Sequence, residues 1–150
     1  MKILIAIENS RFVAKVTDAI VHHVWPDDAE FMILNAIDAC SMPGSVLNRC
    51  RELLQNEVSD LSNRLPHHKV IGEVTEGDAR SDIIAMAEQW RADLIVIAAN
   101  SGEIAKQHGV STLAISVLNH APCSVEVIKT PRRKLQTEHE NKFLDSVSIA

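Results

Sequence analysis

Apolar residues run without interruption from Ile3 to Ile7, and Glu8-Asn9-Ser10 break the run. A short branched run with polar ends is how a strand covered on both faces of a parallel sheet reads. Behind it Phe12, Val13, Val16, Ile20 and Val24 fall at helical spacing. Ser10 is placed to cap that helix, and Pro26 with Asp27-Asp28 to end it. The alternation then repeats. Phe31 to Ile37 forms a second buried run, Ser41-Met42-Pro43-Gly44 a loop, and Val46, Cys50, Leu53, Leu54, Val58, Leu61 and Leu65 the apolar face of a long helix stopped by Pro66. Val70 to Val74 reads as a shorter strand, and Glu76-Gly77-Asp78 as the turn into a helix with Ile83, Ile84, Ala87 and Trp90 inward. Leu94 to Ala98 is the strongest strand pattern. Leu113, Val117 and Leu118 mark a fourth helix, ended by Pro122, and Val125 to Ile128 a fifth strand.

Strands alternating with helices of ten or more residues require right-handed parallel crossovers and a sheet covered on both faces. The expected fold is therefore a single α/β domain, an open doubly wound five-stranded parallel sheet. Ligands of such sheets sit at the carboxyl ends of the strands near the switch in strand order, here around Glu8, Asn35 to Asp38 and Ala98 to Ser101. The domain is expected to span residues 1–130. From Pro131-Arg132-Arg133-Lys134 onward the chain is polar and charge-mixed, so 131–150 reads as a tail. It is either disordered or a short helix with Leu135, Phe143, Leu144 and Val147 on one docking face.

Composition narrows the function classes. With 15 basic and 20 acidic residues in 150, a net charge of −5, there is no broad cationic field for nucleic acid. The opening apolar run is too short for a signal or a membrane span, so a cytoplasmic protein is expected. Cys40, Cys50 and Cys123 are an odd set without C-x-x-C spacing, which points to reduced thiols. The pairs His22-His23 and His67-His68 lack a carboxylate or Cys at helical ligand spacing and are read as surface residues, with no metal site. Trp25 and Trp90 are read as core or interface anchors.

From Ala92 to Lys129 the strand leads through a polar loop to Ser111-Thr112 and then Val117-Leu118-Asn119-His120-Ala121-Pro122-Cys123-Ser124-Val125. This resembles the closing segment of the universal stress protein family, whose fold is adenine nucleotide alpha hydrolase-like. In that family G-x-x-G, nine residues and G-[S/T] hold a nucleotide's phosphates. The resemblance covers roughly residues 2–129 and aligns the three glycines with Ala98, Ser101 and Ser111. It also aligns Ile7-Glu8-Asn9-Ser10 with the V-D-G-S pattern whose aspartate contacts the nucleoside, and sets Gly102 where the family has a basic residue. The implied crevice comprises Glu8, Asn9, Ser10, Ala36, Ala98, Asn100, Ser101, Gly102, Ser111 and Thr112. The family commonly dimerises through its last strand, which implies a homodimer through Val125, Val127 and Ile128. Glu126 departs from the apolar residue usual there, and two copies near a dimer axis would repel.

Glycine at such positions lets backbone N–H groups approach a phosphate and permits positive φ. If two of the replaced positions need left-handed geometry, strain of roughly 2–4 kcal/mol follows, enough to move a micromolar ATP site to between tens of micromolar and about millimolar. Ser111-Thr112 still opens a helix, either as a plain cap or as a cap that also binds an anion. The implied function is a dimeric stress-response binding and interaction protein with weak or lost ATP binding, no required cofactor and an unidentified protein partner. The alternative is a genuine adenine-nucleotide switch using a modified loop, bound to ATP or AMP. Slow nucleotide hydrolysis ranks below both, because no G-x-S-x-G elbow or P-loop is present.

Overall fold

The structure, a computed structural model, describes residues 1–7, 13–37, 43–98 and 111–129. Its elements are β1 (Lys2–Ile7), α1 (Val13–His22), β2 (Glu30–Ile37), α2 (Gly44–Arg64), β3 (Lys69–Glu76), α3 (Ala79–Trp90), β4 (Leu94–Ala98), α4 (Thr112–His120) and β5 (Ser124–Ile128). The five strands form one parallel sheet in the order β3-β2-β1-β4-β5. This is the doubly wound α/β fold expected from the alternation of runs.

The strand period of two sorts the core into two layers. Ile3, Ile5 and Ile7 of β1, Phe31 and Ile33 of β2 and Val96 of β4 face α1 and α2, packing with Val16, Ile20, Leu54 and Leu61. Leu4, Ala6, Met32, Leu34, Ala36, Ile95 and Ile97 face the other way, against Ile83 and Ala87 of α3 and Ala114 and Val117 of α4. Six of the largest of these side chains, Phe31, Ile3, Leu4, Ile5, Ile33 and Leu34, lie at zero exposure. At about 1.5–3 kcal/mol for each side chain removed from water, the central strands dominate the driving force.

Five expectations need correction. Val24 is not on the inner face of α1 but 98% exposed. The helix stops at His22 because His23 N–H donates to Ile20 O at 3.1 Å and Trp25 Nε1–H to the same carbonyl at 2.7 Å. Trp25 turns inward instead, edge-on to Phe31 at 5.3 Å. The long face of α2 is only partly used: Leu54 and Leu61 are buried, whereas Val46 and Leu53 are exposed. That helix covers β3, the sheet's edge, so sheet lies beneath it on one side only.

In α4 the inward pair is Ala114 and Val117, while Leu118 is 55% exposed. β3 is longer than expected, eight residues paired along its whole length with β2. The histidine pairs also divide. His22, His23 and His67 are exposed, but His68 is half-buried, bonded through Nδ1 to Ala29 O at 3.0 Å and edge-on to Phe31 at 5.7 Å. Trp90 is half-buried, with Lys2 Nζ 5.3 Å from its ring centroid and 3.2 Å from its carbonyl oxygen.

Candidate functional site

The strand order reverses between β1 and β4: the chain first steps outward through β2 and β3, then returns to build β4 and β5 on the other side. At such a switch the segments after adjacent strands diverge and leave a crevice at the carboxyl ends. Register sets its floor. Ile7 pairs with Asn35, and Ala6 with Ile97, so Ala36 and Ala98 stand on either flank of the end of β1.

Their backbones share one edge of the sheet but their side chains do not share a face. Ala36, 4% exposed, packs with the α3 and α4 layer, and Ala98 with the α1 and α2 layer. Ala98 occupies strand backbone, so the first replaced glycine position carries no left-handed strain.

Ser111 stands as the N-cap of α4. It is 1% exposed, with φ −69° and ψ 155°, and its Oγ accepts the Ala114 N–H at 3.1 Å. This is a side-chain N-cap, and the first backbone bond of α4 is Ile115 N–H to Ser111 O at 3.1 Å. The amides of Thr112 and Leu113 belong to the first turn, where no intrahelical acceptor exists. With the exposed Thr112 hydroxyl they give this end of the helix a positive, donor-rich character. Because β4 and β5 run parallel, α4 starts on the carboxyl side of the sheet, the side of the crevice.

The neighbouring helix differs. α3 is capped by Asp78, whose carboxylate accepts Ser81 N–H at 3.0 Å and Ser81 Oγ–H at 2.6 Å. The Ser81 hydroxyl and then its amide hold the Asp78 carboxyl below its ordinary value. The start of α3 thus carries a carboxylate, whereas the cap of α4 is neutral.

Glu8, Asn9, Ser10, Asn100, Ser101 and Gly102 lie outside the described residues, as do Cys40 and the 131–150 tail. Ala36, Ala98, Ser111 and Thr112 are the candidates the structure describes. The strain expected at the replaced glycines is absent at two of the three positions, since among the described residues Arg91 is the only non-glycine at positive φ. A side chain at Ala98 or Ser111 obstructs close approach; it does not distort the backbone.

Sequence reasoning missed several polar features. Among the described residues, the buried Thr75 Oγ1 and Asp82 Oδ2, near the end of β3 and the start of α3, find no hydrogen-bond partner. Thr75 pairs in register with Ala36, and Gly77 N–H donates to Ile37 O at 2.8 Å, tying the end of β3 to that of β2. No local signal marks such atoms, because their isolation follows from tertiary packing. A separate groove, lined by Arg80, Ser81, Ile84, Ala85, Glu88 and His120, contains none of the candidate residues.

Among the described residues no cluster of three or more His, Cys, Asp or Glu side chains is arranged to hold a metal ion. Nor is any described helix long and apolar enough to cross a membrane. Cys50 and Cys123 are free thiols, both half-buried.

Comparison with known proteins adds the family. No curated protein matches the chain. Among solved structures, the universal stress protein UspA from Lactobacillus plantarum is 19% identical, with a TM-score of 0.64 over 86% of this chain and 97% of that one. A universal stress protein family protein from Arabidopsis thaliana with AMP bound is 16% identical, with a TM-score of 0.65 over 89% and 94%. The universal stress protein from Archaeoglobus fulgidus in complex with dAMP is 18% identical, with a TM-score of 0.59 over 86% and 98%. These likenesses establish a shared fold. The family model described as the universal stress protein family matches residues 1–129, and with the five-stranded sheet and the Ser111-capped helix in place, the chain belongs to the universal stress protein family.

Proposed function

We propose that the protein is a stress-response binding and interaction module that works as a homodimer through protein partners, with an adenine-nucleotide crevice of low affinity. The AMP and dAMP complexes of its structural relatives support adenine nucleotides as the ligand class. The crevice would be formed by Glu8, Asn9, Ser10, Ala36, Ala98, Asn100, Ser101, Gly102, Ser111 and Thr112.

One observation carries the low affinity. Ser111 stands where the family's phosphate-binding glycine is expected, and its Oγ is committed to the Ala114 amide. That bond removes one first-turn donor from any phosphate and sets a Cβ where a backbone would make its closest approach. The amides of Thr112 and Leu113 remain, so affinity is reduced rather than abolished.

Calorimetry with ATP, ADP and AMP tests this. We expect half-saturation above about 10 µM, since each lost donor costs roughly tenfold. Saturable binding at 1 µM or tighter would overturn it.

The dimer would form by antiparallel pairing of β5 through Val125, Val127 and Ile128, which closes an exposed apolar edge. The domain would end near residue 130, with 131–150 a separate tail. A cytoplasmic location and an absence of turnover go with this function. Phosphate release from ATP that disappears in a Glu8→Ala and Thr112→Ala double variant would argue instead for slow hydrolysis.

A nucleotide-responsive switch is the second reading, favoured by the unstrained backbone at Ala98 and Ser111. It requires that nucleotide copurify with the protein and that Glu8→Ala release it.

A further inference from the structure

Glu126 is the middle residue of β5, the five-residue strand at one edge of the sheet, and its charge is met by a residue far away in the chain. Its Oε1 lies 3.0 Å from His23 Nε2, just beyond the end of α1. The other ring nitrogen, Nδ1, is 2.6 Å from Ala19 O. A carbonyl oxygen only accepts, so Nδ1 carries a hydrogen. A neutral ring with its single hydrogen there would turn a bare lone pair toward the Glu126 carboxylate. The 3.0 Å contact is an ion pair only when the ring is protonated. Trp25 stacks on the same ring, centroids 5.4 Å apart and planes 13° apart, which fixes the ring and favours a cation over the indole face.

Antiparallel pairing of two copies of Ser124–Ile128 over their full length places the middle residue of one opposite the middle residue of the other. Two Glu126 carboxylates then face each other across the two-fold axis, and like charges directly opposite are destabilising. With both His23 rings protonated each carboxylate is already paired within its own subunit.

We propose that His23 makes the β5 edge a pH-gated self-association surface: protonated, it neutralises Glu126 and permits pairing with a second copy, and deprotonated, it leaves Glu126 to oppose it. This rests on the dimer proposed above. The sign follows from linkage. The paired state holds up to two more protons than two separate subunits, so association strengthens as pH falls and weakens as it rises.

Other charged groups near His23 have their own partners or lie on adjacent turns. On α1, Asp18 is held by Arg64 at 2.8 Å, and His22 directs Nδ1 to Asp18 O at 2.6 Å. In the following loop Asp28 pairs with the N-terminal ammonium at 3.3 Å, and Asp27 precedes it. Lys129 follows β5. On this face β1 and β4 contribute only Ile3, Ile5, Ile7, Leu94, Val96 and Ala98.

Sedimentation of the full chain at 0.15 M salt between pH 5.5 and 8.5 tests the gate. The dimer dissociation constant is expected to rise about tenfold from pH 6 to pH 8. His23→Gln should dimerise weakly at every pH, and Glu126→Gln tightly at every pH. Both sites are partly exposed, at 42% and 33% of the side chain, so both variants should fold. A wild-type dimer whose constant stays within about twofold across the range, or a His23→Gln protein that keeps the full pH response, overturns the gate alone. A protein that stays monomeric in all three forms overturns the dimer and the gate together. Nitrogen-15 spectra of the His23 ring give an independent reading. A second ring proton gained as pH falls from 8.5 to 5.5 is expected, and a ring whose protonation does not change across that range overturns the proposal.

Discussion

At Ser111 two demands on one residue conflict. Its hydroxyl caps α4, while the family's glycine at that position leaves the helix end open to phosphate. Substituting Ser111→Gly is expected to leave stability nearly unchanged, since glycine is itself an acceptable cap, and to tighten ATP by about three- to tenfold in calorimetry. Ser111→Ala should instead lower stability by about 1 kcal/mol in denaturant titrations without restoring affinity, because it removes the cap and keeps the Cβ. Arg91 offers a contrasting case. It ends α3 at φ 59° and ψ 50°, with its N–H shared between Ala87 O and Glu88 O. Arg91→Gly removes the left-handed strain and should stabilise the fold by about 0.5–1 kcal/mol, read as a shift in the urea midpoint. At Cys123, burial and then the Asp93 carboxylate push the thiol up, so its alkylation at pH 7.5 should run slower than that of a free thiol.

The helices show which parts of an element a sequence can disclose. Heptad-like spacing identified α2, but not that only Leu54 and Leu61 would be buried, because the missing layer is a property of the sheet edge beneath. The edge also explains Gly72. A Cβ there would stand 2.7 Å from Val58 Cγ2 and 3.2 Å from Leu54 Cγ, so α2 lies directly on the bare backbone of β3. Gly72→Ala is expected to destabilise by about 1–3 kcal/mol as the helix is pushed away, measurable by denaturant unfolding. α3 responds to pH at its start. The Asp78 carboxyl is held low in the folded state, so its contribution is present above the ordinary carboxylate range and is lost as pH falls through the folded value. The Tm difference between wild type and Asp78→Ala should be a few degrees at pH 7 and shrink below about pH 4.

For the molecule as a whole, the fold was legible because β1, β2 and β4 are covered on both faces and so write continuous apolar runs. The order of elements then left one comfortable topology. The site was legible only as an alignment to Ala98, Ser111 and Thr112, since replaced glycines reveal themselves by position and not by conformation. Extended backbone at Ala98 follows from the strand pattern of Leu94 to Ala98, whereas the burial of Ser111 and the commitment of its hydroxyl to the Ala114 amide follow only from tertiary packing. The His23 contact to Glu126 was invisible for another reason: the sequence showed an acid in an apolar strand, and the ring that meets it comes from the far end of the chain order, just beyond α1.

The sheet's other margin has its own consequence. β3 exposes Lys69, Gly72, Glu73 and Glu76, two acids and a base on a strand with a bare glycine at its middle. A newcomer strand would meet charge on one face and α2 on the other. Strand addition is thus disfavoured at that end, and subunits joined at β5 would make a ten-stranded sheet whose outer rims discourage further growth. Such an assembly would stop at two copies rather than extend into a fibre.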